Sequence, residues 1–396
     1  MKSSTLGDVA EFVRGLTFKP EDVVPFGTEG SIVCFRTKNV QSELDVSDVI
    51  SIPESLVKNQ SKMINGGDII VSSANSWNLV GKCSWVFDLP WNATFGGFVS
   101  VLRAKPDKVF PRFLYRWFSS PNVQAVVRNL GNKTTSISNL NIERCLALPI
   151  EIPSMNEQKR IAAILDKADA LRAKRRKALE QLDALAQAIF IEMFGDPTLN
   201  PKQWGIGSIG ELLESASYGS SAKSGAEGSY PILRMGNVTN DGKIDLGDLK
   251  YIDLAEQEAE KYLVRAGDVL FNRTNSAELV GKSAIYRFAD EVAYAGYLVR
   301  LRVNSKCDPE YLAAFLNTPH AKRVLRSMCK SIVGMANINA KEVQSIRIAI
   351  PPIELQKEFG KRVRAIEGKR VFLEKSRGEL DALFSSLQHR AFRGEL

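Results

Sequence analysis

Between Ser154 and Phe194 apolar residues recur every seven positions. Ile161, Ala168, Leu182 and Ile189 form one line, interrupted by Arg175, and Ile164, Leu171, Ala178 and Leu185 form a second. The spacing predicts one long helix with a coiled-coil seam. Ser154-Met155-Asn156-Glu157 fits a capping box at its start, and Gly195-Asp196-Pro197 stops it after Phe194. About forty residues at roughly 1.5 Å each make a rod of about 60 Å. Near the C-terminus Phe359, Ile366, Leu373, Leu380 and Leu387 form another seam, with polar Arg362, Lys369 and Ser376 beside it before Leu383. Two seams of matching length pack most economically on each other, antiparallel if a two-fold relates them.

Ahead of each helix the pattern changes. Short β-rich runs alternate with glycine turns: Ile32 to Phe35, Asp68 to Val71, and Phe98 to Leu102. One helix interrupts them, from Pro111 to about Leu130, with proline in its first turn. Residues 204–350 repeat this order with Asp268 to Phe271, Tyr297 to Val303, and a helix from Pro309 to about Cys329.

The repetition extends to single residues. Leu182-Asp183-Ala184-Leu185 returns as Leu380-Asp381-Ala382-Leu383, an offset of 198 in a chain of 396. Ile152-Pro153, Gln158-Lys159 and Asn139-Leu140-Asn141 recur as Ile350-Pro351, Gln356-Lys357 and Asn337-Ile338-Asn339. Arg36 and Asn39 match Arg234 and Asn237, and Leu79-Val80-Gly81-Lys82 matches Leu279-Val280-Gly281-Lys282. A period this long is a tandem duplication and not a solenoid, because each copy can own a core. The expected fold is α+β: two tandem mixed α/β domains, 1–152 and 196–350, separated by helical segments 153–195 and 351–396 that form an antiparallel coiled coil, with an internal pseudo-two-fold.

Composition narrows the partners. A formal charge of +8 and a pI near 9.1 favour a polyanion. Five cysteines, an odd number with no CxxC, argue against a disulfide framework or zinc cluster and for a reducing compartment. The N-terminus has no apolar signal core and no run is long enough to span a bilayer, so a cytoplasmic chain without membrane contact is expected.

Catalytic chemistry is hard to find. Gly81-Lys82 and Gly281-Lys282-Ser283 look superficially like a phosphate-binding loop, but Ser76 and Ser276 stand where that loop needs glycine. Two histidines, His320 and His389, lack metal-ligand spacing. Asp68 and Asp268 follow glycine at strand entries, where a carboxylate usually caps a turn. No glycine-rich adenosyl loop and no Asn-Pro-Pro-aromatic segment is present. A non-enzymatic chain is expected.

The joint from Leu148 to Ile161, with Leu165-Asp166 after it, resembles the junction in specificity subunits of type I restriction-modification enzymes. The segment from Gly267-Asp268 through Arg273-Thr274-Asn275 to Val280-Gly281-Lys282 resembles their target-recognition domains. The second copy departs at its joint, where Leu355-Gln356 replaces Glu157-Gln158. The resemblance implies a non-catalytic subunit whose two domains each read half of a bipartite asymmetric site in double-stranded DNA, with the helices as ruler. It also implies two methyltransferase subunits around this chain, with restriction-translocase subunits joining for cleavage. No cofactor is implied in this chain; S-adenosylmethionine, ATP and Mg2+ would sit on partners, which methylate adenine N6. A coiled-coil scaffold with protein-binding end domains is the rival.

Comparing the copies suggests residue roles. Positions kept in both fit scaffold or phosphate contacts, since different half-sites share only their backbone. These are Arg36 with Arg234, Asn75 with Asn275, and Lys82 with Lys282. Positions that differ within matched loops are candidate base readers: Ser72-Ser73-Ala74 against Asn272-Arg273-Thr274, and Lys133-Thr134-Thr135-Ser136 against Ser331-Ile332-Val333-Gly334. Arg273 is the strongest single candidate, for a bidentate guanine contact.

Overall fold

The computed structural model describes residues 2–133, 137–276, 280–332 and 335–396. The chain forms two compact units, Met1–Lys174 with Arg377–Leu396, and Arg175–Ser376.

In the first unit, strands Ala10–Arg14, Val99–Ala104, Ile69–Ser72 and Cys83–Trp85 make an antiparallel sheet in that order. A mixed sheet orders Ile50–Pro53, Ser31–Phe35 and Ala93–Phe95. Strands Lys2–Thr5 and Pro149–Ile152 pair at the joint. Ala74–Asn75 pairs with Ser138–Asn139, which pairs with Asn132–Lys133. The second unit repeats the plan. Leu213–Tyr218, Leu298–Val303, Val269–Asn272 and Ser283–Ile285 form its antiparallel sheet. Its mixed sheet gains a fourth strand, Leu263–Val264, after a helix at Glu256–Tyr262.

Each helix expected from a proline start to a cysteine or leucine is two helices. Pro111–Phe118 is followed by Pro121–Asn129, and Pro309–Asn317 by Pro319–Met328. Pro121 and Pro319 have no N–H to continue the first helix and hold the preceding residue extended, as Ser120 and Thr318 are.

The long helices run Met155–Phe194 and Ile353–Ala391. Ser154 Oγ accepts the Glu157 N–H at 3.3 Å, as expected of the cap, while the Glu157 carboxylate goes to Arg160. Gly195, at φ +85°, terminates the first helix. In the first unit Arg172 donates to Asp381 at 2.6 Å and Arg160 to the Leu396 carbonyl at 2.7 Å. In the second, Phe190 lies 5.7 Å from Phe359 and Arg370 lies 3.5 Å from Asp183. Within each unit the two helical segments are therefore antiparallel.

The second apolar line differs from the expected one. Leu171 is 52% and Leu185 45% exposed, while neighbours Leu165 and Leu179 are buried. On the other helix Phe384 is buried and Leu383 exposed. Each segment packs on a mixed domain as well as on the other helix, so its buried face is wider than, and rotated from, a two-helix seam.

The copies share their anchoring bonds. Gln158 Oε1 accepts the Phe110 N–H at 2.7 Å, and Gln356 Oε1 accepts the Asp308 N–H at 3.0 Å. Both amides are buried and donate to the carbonyls of Pro153 and Pro351.

Candidate nucleic-acid interface

Arg36 and Arg234 open equivalent turns. Asn39 Oδ1 accepts the Arg36 N–H at 2.8 Å and its amide donates to the carbonyls of Asp45 and Asp48. Asn237 does the same for Arg234, Asp245 and Asp248. Each arginine then reaches an aspartate, Asp48 at 3.4 Å and Asp248 at 2.9 Å. The sequence pair Arg-x-x-Asn is thus a capped turn presenting a half-exposed, ion-paired guanidinium. Sequence spacing could not disclose the aspartate, twelve or fourteen residues away.

Lys82 Nζ donates to Gln41 Oε1 at 2.6 Å, and the Gln41 amide to the Lys38 carbonyl at 2.7 Å. Lys38 itself pairs with Asp48. Kept residues Arg36 and Lys82 so belong to one polar network in the first unit. In the second unit Lys282 Nζ reaches the Met235 carbonyl at 3.5 Å, beside Arg234, and burial lowers the affinity of its ammonium for the proton. Asn75 and Asn275 are local: each side-chain oxygen accepts the N–H of the next serine.

Glycines 81 and 281 have φ near +80°, and a Cβ there would lie 2.5 Å from Val127 or 2.7 Å from Leu325. Their place in Leu-Val-Gly-Lys follows from turn geometry and helix packing, with no phosphate loop involved.

Ser73 and Arg273 occupy one backbone position. Ser73 N donates to Phe98 O at 2.9 Å and Leu140 N to Ser73 O at 2.8 Å. Arg273 N donates to Tyr297 O at 3.0 Å and Ile338 N to Arg273 O at 2.9 Å. The Arg273 guanidinium lies 4.8 Å over the ring of Tyr218. Tyr218 precedes Gly219 and pairs with Val299; Arg14 precedes Gly15 and pairs with Ser100. Arg14 thus stands where Tyr218 stands, a correspondence that the Arg-Gly and Tyr-Gly dipeptides could have signalled. Phe98 and Tyr297, 67% and 51% exposed, are equivalent aromatic neighbours also missed from sequence.

A groove of about 940 Å³ in the second unit brings together Arg234, Arg273, Tyr297, Asn337 and Lys223. Asn275 and Lys282 do not line it. Lys133 lies on the strand paired with Ser138–Asn139. Its side chain, Thr134 and most of the compared segments 133–136 and 331–334 lie outside the described residues. Lys322, not anticipated, donates to the Gly281 carbonyl at 2.6 Å; burial, with Lys282 and Arg326 nearby, pushes its ammonium down to about 8.

Among the described residues no cluster of three or more His, Cys, Asp or Glu could hold a metal ion. None of their helices is long and apolar enough to cross a membrane.

The type I restriction modification DNA specificity domain model matches residues 1–181 and 201–379. The type I restriction enzyme EcoKI specificity subunit of Escherichia coli K12 is 27% identical, across 98% of this chain and 87% of its own. The StySPI specificity subunit of Salmonella potsdam is 25% identical, across 100% and 89%. In fold, the type I restriction-modification S subunit from M. genitalium matches at TM-score 0.60 and 16% identity, across 99% of this chain and 96% of that one. A chain from work on complex assembly and conformational transition of the type I R-M system matches at TM-score 0.56 and 17% identity, across 100% and 98%. With the domain model matched twice, and the same fold built in each half on the same anchoring bonds, this chain belongs to the type I restriction-modification DNA specificity family.

Proposed function

We propose that the chain is the DNA sequence-recognition subunit of a type I restriction-modification complex, a targeting component and not an enzyme. Domains 1–152 and 196–350 each read one half of a bipartite asymmetric site, and helical segments 153–195 and 351–396 set the spacer between them. The supporting observation is the pair Ser73 and Arg273: one backbone position, held by the same two hydrogen bonds, carries different side chains in the two copies. Such a position can change the base read without changing the scaffold.

In this reading Arg36, Arg234, Lys82 and Lys282 approach phosphates. Arg273 and Ser73 face bases, Lys133 and Thr134 are assigned to base reading from the comparison of the copies alone, and Arg14 takes in the first domain the cationic role of Arg273. Asn75 and Asn275 hold the loop. Phosphate contacts would exchange the aspartate partners of Arg36 and Arg234 for DNA, with the salt dependence of counterion release.

Partner docking has a separate basis. Val371 and Phe372, 66% and 68% exposed, lie on a helix where solvent gains nothing from them. We assign that face to a methyltransferase subunit; two such subunits, with restriction-translocase subunits, would bring S-adenosylmethionine, ATP and Mg2+ to the cytoplasmic complex. The experiment is a comparison of N6-methyladenine across the host genome with and without this gene. Loss of methylation at one bipartite motif is expected; unchanged methylation, together with no salt-sensitive DNA binding by the purified chain, would overturn the proposal in favour of a scaffold.

A further inference from the structure

A cavity of about 360 Å³ lies in the second unit, between its helical segments and its mixed domain. Among its lining residues are Ala184, whose counterpart Ala382 is also alanine, and three alanines that differ between the copies, Ala186, Ala313 and Ala314. At the repeat offset of 198 their counterparts are Phe384, Tyr115 and Arg116. All three of those are buried in the first unit. There Arg116 donates Nη1 to Asp169 at 2.9 Å and Nε to Asp166 at 2.7 Å. Its guanidinium lies 5.5 Å from the Tyr115 ring and 5.8 Å from Phe384. The first unit therefore holds its own guanidinium between aromatic rings and carboxylates. The second unit keeps one of those carboxylates, as Glu367, and leaves open the space of the guanidinium and of both rings.

The socket retains its carboxylate. Glu367 corresponds to Asp169 and lines the cavity. Among the described residues it makes no hydrogen bond or ion pair, since the nearby Arg287 is engaged by Glu310 at 3.0 Å. The wall as a whole has four carboxylates (Asp183, Asp241, Glu310, Glu367) against two cations, Lys243 and Arg287. Phe190 and Phe359 supply apolar wall, and the size lies within the range of small-ligand pockets. Asp166 has no acidic counterpart, because exposed Arg364 stands there, so a ligand would meet one facing carboxylate instead of two. Burial raises the Glu367 carboxyl, with Glu310, Asp183 and Glu374 adding to the effect against Arg287; a bound cation would relieve that cost.

We propose that this cavity binds a guanidinium group, with Glu367 as its anion and the space vacated by Phe384, Tyr115 and Arg116 as its seat. The group is either a free alkylguanidine or an arginine side chain of a protein partner. It is independent of the DNA reading, since the first unit fills the same place with its own side chain.

Calorimetric titration of the full chain with agmatine and with the capped peptide acetyl-Gly-Arg-Gly-amide tests it. Binding of either at one site per chain is expected, weakened about 10- to 100-fold in Glu367→Gln, as for loss of a charge-assisted bond. Ala314→Arg should supply the missing side chain, abolish binding and raise the melting temperature. Binding of the peptide alone would identify a partner's arginine, and equal binding of agmatine a free alkylguanidine. No binding of either at millimolar concentration, or binding unaltered in both variants, would overturn the assignment.

Discussion

Asp68 receives Nε and Nη2 of Arg103 at 2.8 and 2.6 Å, and its carboxylate also accepts the Asn65 N–H at 2.9 Å. One aspartate thus caps a turn and closes an ion pair beneath the sheet of the first unit. Asp268 with Arg302 repeats the arrangement at 2.8 and 2.9 Å. Turn capping was legible from Gly-Asp; the arginine, thirty-five residues away, was not.

Both carboxylates are only 3% exposed, and removing Asp68 leaves the Arg103 charge with only the neutral carbonyls of Ser61 and Met63 as acceptors. Asp68→Ala should cost about 3–5 kcal/mol, the scale for breaking a buried pair. Urea unfolding followed by circular dichroism measures it. A loss below about 1 kcal/mol would place the pair with exposed ones instead.

Arg273→Ala should relax discrimination only in the half-site read by the second domain, by about 1–3 kcal/mol. Competition binding against a library randomised in each half-site reports it. Uniform weakening on all sequences would make Arg273 a phosphate contact. Arg14→Ala should have the matching effect on the other half-site, because Arg14 occupies the place of Tyr218, the ring beneath Arg273.

How far the sequence led can be judged from such residues. Periodicity located both long helices, since a sustained apolar stripe needs little context. It placed the second line at Ile164, one residue before the buried Leu165, because the domain packing on that side is not encoded within the helix. The duplication revealed positions kept in both copies, but not that Asn39 and Asn237 hold turns while Arg36 and Arg234 face aspartates. Those distinctions depend on Asp48 and Asp248, which only the folded turn brings close. Ala186, Ala313 and Ala314 carried no signal at all, as an alanine gains meaning only when the space around it is known.

The spacer proposal makes its own prediction. Four residues inserted after Lys174 add roughly 6 Å of helix and rotate the downstream part of the helix by just over one turn. The preferred spacer should lengthen or binding should fail, because half-site separation is a geometric property of the reader. Selection of bound duplexes with spacers of every length reports the outcome. An unchanged preference would separate the helix from the ruler role.

Lys322 gives a dependence on pH with a definite sign. Its ammonium falls from an ordinary 10.5 to about 8, through burial first and then Lys282 and Arg326. Below about pH 8 folded and unfolded chains both carry this proton, so the whole cost of burying the charge, roughly 3 kcal/mol, is present. Between about 8 and 10.5 the folded chain has released the proton and the unfolded chain has not, so stability rises with pH. Lys322→Gln installs the residue found at Gln124 in the first copy and removes the charge while losing the bond to the Gly281 carbonyl, worth about 1 kcal/mol. The variant should therefore be more stable than the parent by about 2 kcal/mol at pH 7, and the advantage should vanish or reverse by pH 10. Unfolding of the two proteins side by side across that range measures the difference, in which the other titrating groups cancel. A difference that stays constant with pH would mean that the Lys322 ammonium is hydrated in the folded chain, despite the lysine and arginine beside it.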